Sequence, residues 1–415
     1  MKRWTVILTI GALLVTGVMN TPLPAAHAAQ TTAFTDINKH WGKATIEDMV
    51  ARGILDGYPD GSFRPNEPVK VDQFIKMLIL SYTDLHPNGE RSWRQTFLDS
   101  LSEENRTILS QDYRYYDFKP GTTGYWAKPF IDVASDLHFL NKGRYSDFQG
   151  NMTRENVAEV LYYALQETEY LEDEQFSHSV AQSYGDLTSA SDRMQKFMAE
   201  SLVKGIMQGY PNGRFGVGDY VTRAESLVIL NRLTDKSKRI PVAPSADKLQ
   251  RLVPTSGGGQ KVIVFPDKRM WDAYDALVKA GELRGANHDL LNTTLRLFKD
   301  QNERNAVLSG GAPGAEKPTE EVAMWLDPAY NTYGITVRLR EGTLARNTEA
   351  VQLFGNQLFG YDAFAFHKWF AAVCTEVEAG RPLASKQITI GSDTVNVLVD
   401  NTAKTVIFSV AAKKA

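Results

Sequence analysis

Cysteine is almost missing from this chain. Cys374 is the single one in 415 residues, so no intramolecular disulfide can form and stability has to come from packed cores. A basic excess is missing too. Lys and Arg number 46 against 49 Asp and Glu, which leaves no electrostatic footprint for nucleic acid. Long apolar runs are absent apart from Trp4 to Val18, which is too short to span a bilayer and has no stop-transfer segment after it. Familiar catalytic signatures are absent as well: there is no H-E-x-x-H, no G-x-S-x-G and no Gly-rich phosphate loop. His288, Asp289 and His367 are scattered, and Cys374 lies among apolar residues of an expected helix. These residues read as structural, and the expectation is no catalytic residue, no cofactor and no metal. Asp56 to Gly61 has the outline of a calcium loop but lacks the acid or amide at its third position and the distal Glu.

What is present begins with an address. Lys2 and Arg3 precede the apolar run, and Ala26-His27-Ala28 offers a small-residue cleavage site, so residues 1–28 read as a secretory signal peptide. No cysteine follows the run and no apolar tail closes the chain. The expected product is secreted, has no membrane contact after cleavage, and is either released or held non-covalently. With 43% apolar and 23% charged residues it has ordinary globular composition, and its length fits two or three domains.

The front half repeats itself. Gly57-Tyr58-Pro59-Asp60-Gly61-Ser62-Phe63-Arg64-Pro65-Asn66 returns as Gly209-Tyr210-Pro211-Asn212-Gly213. Both are turn-rich loops leading into a helix. Thr222-Arg223-Ala224-Glu225 is a capping box, in which Thr222 accepts the N–H three residues on and Glu225 reaches back. Arg223 then sits in a first helical turn, where a cation opposes the helix dipole, so it reads as a group kept to hold something anionic. Three units share one order: aromatic-x-Asp, helix, loop, capped helix. The first opens at Phe34-Thr35-Asp36 and Trp41, with Ile46, Met49, Val50 and then Val71, Phe74, Ile75, Leu78, Ile79 at helical spacing. The second opens at Tyr115-Tyr116-Asp117 and Trp126, with Phe130, Val133, Ala134, Leu137 and then Thr153-Arg154-Glu155 ahead of Val157, Val160, Leu161, Ala164 and Leu165. The third opens at Tyr184-Gly185-Asp186 and continues through Met194, Phe197 and Met198.

On these residues the region from Phe34 to Asp235 resembles three tandem S-layer homology repeats. The resemblance covers about half the chain. It implies a mainly α architecture, a pseudo-threefold helical bundle, with repeats at 31–82, 113–167 and 182–236. It also implies grooves between repeats that bind a secondary cell-wall polysaccharide, in many members one carrying a pyruvate ketal, on a Gram-positive-type cell wall or S-layer surface. Transferred residue by residue, the groove set is Arg223, Arg154, Trp41, Trp126, Asp36, Asp117, Gly57, Gly209 and Glu225. The chemistry agrees, because a guanidinium fork matches a carboxylate and aromatic rings cover apolar sugar faces. Trp41 and Trp126 fit packing as well as sugar contact, and Asp36, Asp117 and Asp186 fit helix caps or turns as well as ligand acceptors. There are departures. Val71 stands at the arginine position of repeat one, repeat two lacks the glycine loop and follows a polar insertion from Tyr82 to Arg114, and repeat three lacks the early Trp. One or two competent grooves are therefore expected.

Residues 237–259, with Pro241, Pro244, Pro254 and Gly257-Gly258-Gly259, read as a linker. Residues 260–415 read as a separate α+β domain in which no family motif is recognised. The expected elements are a strand at 261–265, helices at 270–280, 287–302, 348–358 and 362–378, a strand at 334–339, a loop at 309–318, and a closing antiparallel meander at 387–390, 394–399 and 405–410. The resulting expectation is a non-catalytic surface protein. The front half holds it to wall polysaccharide, and the rear half is displayed to bind other envelope proteins or polymers. An anchored enzyme acting on wall or external polymers is the alternative.

Overall fold

The computed structural model describes residues 34–309 and 319–411. The expected signal peptide and nearly all of the 309–318 loop lie outside the described residues. The front half is helical: α1 (Lys43–Ala51) and α2 (Val71–Ser81); a hairpin of β1 (Thr83–Leu85) and β2 (Arg91–Trp93); α3 (Gln95–Ser100) and α4 (Glu103–Gln111); α5 (Lys128–Asp136), α6 (Arg154–Thr168) and α7 (Glu174–Ala181); and α8 (Asp192–Val203) and α9 (Arg223–Thr234). The apolar stripes read from the sequence on α2, α5 and α6 all face one core, with Phe74, Phe130 and Leu161 fully buried. The Tyr82–Arg114 insertion is polar in composition yet joins that core. Phe97 stacks on Tyr82 at 4.3 Å between ring centroids and meets Phe139 edge-on at 6.2 Å.

The three units meet at a hub made of main chain. The Val69 N–H donates to the Val221 carbonyl, Val221 N–H to Met152, and Met152 N–H back to Val69, each at 2.9 Å. All three residues are fully buried. Short antiparallel bridges flank this cycle: Pro68 with Thr222, Lys70 with Asn151, and Thr153 with Tyr220. Buried backbone groups need partners. Here each unit's partner is supplied by another unit, so the start of every second helix is placed by its neighbour.

The rear half comprises β3 (Gln250–Pro254), β4 (Gln260–Val264), α10 (Lys268–Glu282), β5 (His288–Leu291), β6 (Thr294–Leu297), α11 (Gln301–Leu308), β7 (Val322–Asp327), β8 (Thr332–Arg338), α12 (Thr343–Phe359), α13 (Ala363–Glu378), β9 (Lys386–Ile390), β10 (Asp393–Asp400) and β11 (Thr405–Ala411). β3 and β4 form their own hairpin. The other seven strands make one antiparallel sheet in the order β5-β6-β7-β8-β11-β10-β9. A single apolar row crosses it: Leu290, Leu295, Met324, Ile335, Phe408 and Val397 stand opposite one another in register. α10, α12 and α13 pack over that row and close a second core.

The expected closing meander is β9-β10-β11, but it is only one side of a larger sheet. The expected helix at 287–302 is instead the β5–β6 hairpin. Leu290, Leu291, Leu295 and Phe298 imitate helical spacing, whereas Asn292 turns the chain at φ 51°, a left-handed conformation that asparagine tolerates. The expected linker is also corrected in part. Gln250–Pro254 is a strand, and 240–242 is strapped to unit three, Ile240 N–H donating to Gly205 at 3.1 Å and Val242 N–H to Val203 at 3.0 Å. The halves touch through a small cluster of Phe176, Val203 and Val262. The Val262 N–H there donates to Glu172 Oε2 at 2.8 Å.

Candidate functional site

Each glycine loop is fixed from the start of its own unit. Asp36 accepts the N–H groups of Phe63 at 2.8 Å and Arg64 at 2.7 Å. Burial works to raise the Asp36 pKa, but these two donors outweigh it and hold the carboxyl below its ordinary value. Asp186 does the same for Phe215, Gly216 and Val217. The aromatic two residues before each of these Asp residues packs against the first glycine of the loop. A Cβ at Gly57 would come within 2.1 Å of the Phe34 ring, and one at Gly209 within 2.1 Å of Tyr184, so only glycine fits. Asp117 has no such partners in the shorter loop of unit two. It is exposed and accepts only the Lys119 N–H, at 3.2 Å.

Two of the three helices that follow the loops, α9 and α6, carry an arginine into another unit. Arg223, on α9, donates Nε to the Phe63 carbonyl at 3.0 Å and Nη2 to Asp56 at 3.1 Å, between the rings of Tyr58 and Phe63, each 4.8 Å away. Arg154, on α6, repeats this with Phe215 at 2.8 Å and Gln208 at 2.6 Å, over Tyr210 and Phe215. Both are only 3% exposed, and burial lowers the pKa of Arg223. In each, Nη1 makes no hydrogen bond among the described residues. For Arg154 the nearest carboxylate oxygen is Glu225 Oε1, 3.8 Å from Nη1. At the third interface Val71 leaves the arginine position apolar, and Asp72 accepts the Tyr125 hydroxyl at 2.7 Å instead.

A cavity of about 190 Å³ opens beside Arg154. It gathers Trp41, Arg154, Gly209 and Glu225 of the expected set, together with Tyr210 and Arg232. Trp41 is 66% exposed, so it is not a core residue. Glu225 completes the capping box, its Oε2 accepting the Thr222 N–H at 2.9 Å while its other oxygen faces Arg154. Trp126 does not line the cavity and packs half-buried against the main core. Arg232 escaped the sequence reading. It sits in the last turn of α9, where a cation merely complements the helix dipole, and nothing in its spacing marks it.

Among its described residues the rear half shows no comparable constellation. His367 bonds Asn356 at 2.9 Å rather than facing Cys374, whose thiol is fully buried and pushed up to about 12 by desolvation. His288 contacts the Gly285 carbonyl, and Asp289 pairs with Arg296. Among the described residues no cluster of three or more His, Cys, Asp or Glu is placed to hold a metal, and no helix is long and apolar enough to cross a membrane.

The loops, caps and interlocked arginines define a helical repeat module with grooves between its units. The S-layer homology domain model matches residues 33–74 and 183–225, so the chain is a protein with S-layer homology domains. Such a domain indicates anchoring at the cell surface. The chain is 25% identical over 233 residues to an exoglucanase, XynX, of Acetivibrio thermocellus, covering 55% of this chain and 18% of that one. It is 32% identical over 69 residues to a cellulosome-anchoring protein of the same organism, covering 14% and 15%. It is 38% identical over 106 residues to an outer membrane protein, SlpA, of Deinococcus radiodurans, covering 25% and 9%. The chain thus spans less than a fifth of the length of each of these relatives.

Proposed function

We propose that the front half is a pseudo-threefold trio of S-layer homology repeats, with 113–167 as the middle one, and that it holds the chain non-covalently to an acidic secondary cell-wall polysaccharide. The groove beside Arg154 is the principal site, and the Arg223 interface is a second. One observation carries this reading: an exposed indole, Trp41, stands in the same cavity as a guanidinium whose Nη1 makes no hydrogen bond among the described residues and has only the Glu225 carboxylate near it, at 3.8 Å. The ring fits the apolar face of a sugar, and the Nη1 edge fits a carboxylate such as that of a pyruvate ketal. The site is shallow, so two grooves engaging one polymer gain by effective concentration what neither supplies alone. The rear half is displayed outward as a non-catalytic binding domain, with other envelope proteins as its partners.

The test is sedimentation of the full chain with purified wall sacculi, before and after acid extraction of the secondary polymer. Binding is expected to disappear on extraction. Trp41→Ala is expected to weaken it by about tenfold, the size of one central aromatic contact, without moving the melting temperature. Binding unchanged by extraction, or by Trp41→Ala, would refute the groove.

A further inference from the structure

A larger cavity, about 610 Å³, lies among α6, α7 and α8 and shares no residue with the groove at Trp41. Its volume falls in the range of roughly 300–1,000 Å³ typical of small-molecule sites. Two helix faces line it. Glu174, Ser177, His178 and Ala181 recur at i, i+3, i+4 and i+7 on α7, and Asp192, Gln195, Lys196 and Ala199 do so on α8. Leu171 and the Tyr162 ring add an apolar wall.

The charge of the cavity is one-sided. Glu172, Glu174, Asp192 and Glu200 face a single lining cation, Lys196, and Glu174 already occupies it at 3.2 Å. Lys204, behind Glu172 and Glu200 at 3.4 and 3.6 Å, is shared with Glu169 at 3.9 Å. The neighbourhood is short of positive charge, and burial pushes the Glu200 carboxyl up to about 7. An anionic ligand is disfavoured here and a cation is welcome. A second observation is independent of charge. Ser177 is 6% exposed, and its Oγ is buried with no hydrogen-bond partner. A hydroxyl left so is destabilising, and in native proteins such a group is normally satisfied. Gln175, Ser179 and Gln195 bring further neutral donors and acceptors to the same walls.

We propose that this cavity binds an amino sugar carrying a free ammonium group. The ammonium meets the carboxylates, the ring hydroxyls meet Ser177 and the two amides, and the C–H face of the ring lies on Tyr162 and Leu171. A simple alkylamine would satisfy the carboxylates but leave the buried Ser177 hydroxyl without a partner. A neutral sugar would leave the carboxylates without a cation. The site does not depend on the polysaccharide groove, since no residue is common to both.

The test is calorimetric titration of the full chain with glucosamine, N-acetylglucosamine and hexylamine. Glucosamine is expected to bind at least about tenfold more tightly than either comparison ligand, because each lacks one half of the recognition. The double variant Glu174→Gln/Asp192→Asn changes two exposed residues and is expected to lose about tenfold in glucosamine affinity with an unchanged circular dichroism spectrum. Trp41→Ala is expected to leave glucosamine binding unaltered. Equal affinity for the N-acetylated sugar, equal or better binding of hexylamine, no effect of the double variant, or no glucosamine binding at millimolar concentration would each overturn the proposal.

Discussion

Replacing Arg223 with alanine tests whether the interlocked arginines hold the front half together. The substitution removes two charge-assisted hydrogen bonds, to Phe63 and Asp56, and a cation seated between two rings. Each bond to a charged group is worth about 1.5–3 kcal/mol, and each ring adds about 0.5–1 kcal/mol. Against that stands the relief of no longer burying a charge whose side-chain hydrogen bonds go only to main-chain carbonyls. The net loss is expected at about 2–4 kcal/mol. For a region of this size that lowers the melting temperature by about 5–15 °C, followed by circular dichroism at 222 nm. Arg223→Lys is expected to fall between, since one ammonium cannot reproduce the fork. Lys70 is exposed at the equivalent helix start of unit one, and Lys70→Ala is expected to leave both stability and wall binding nearly unchanged. Arg223→Ala should depress both. A melting temperature within about 1 °C of the parent, or equal and negligible effects of the two alanine variants on wall binding, would refute the role given to Arg223.

Two further outcomes follow from the junction of the halves. Gly205→Ala would set a Cβ 2.0 Å from the Ile240 carbonyl carbon, at φ +66°, and should cost about 2–4 kcal/mol and speed proteolysis near 240–249; an unchanged cleavage rate would mean that the strap is not held there. Glu200 has its pKa raised in the fold above the ordinary carboxyl value, to about 7, so its stabilising contribution is complete at low pH and is lost as pH rises through 7. Stability should therefore fall by about 2 kcal/mol between about pH 5.5 and pH 8, and Glu200→Gln should flatten that slope; Glu169, whose pKa is lowered, titrates below this window and does not mask it.

Much of the front half was legible because its information is local. The capping box at Thr222 and Glu225, the glycine loops and the helical stripes are written in neighbouring residues, and the structure keeps them. The role of the arginines was half legible. Their position on the helix could be read, but their carbonyl partners lie 54 to 167 residues away in sequence, so burial could not be foreseen. Trp41 and Trp126 look alike in the sequence and differ in the fold, one exposed in the cavity and one packed on the core. The β5–β6 hairpin was misread because four apolar residues satisfied two periods at once, and only pairing with β7 decides between them. β7 itself is a nearly continuous apolar run without alternation, as suits a strand in the middle of a sheet.

The cycle through Val69, Met152 and Val221 has a bearing on how such a chain tolerates change. A linear solenoid can lose a terminal copy at the cost of one interface. Here removing the segment around any one of these three residues would leave one donor and one acceptor without a partner in the buried centre. The cycle asks only for main chain, which nearly any sequence supplies. A unit can therefore drift in its side chains while still serving as the third leg of a tripod. The middle stretch, which lacks the glycine loop and falls outside both matched segments, supplies Met152 to the cycle through its main chain alone.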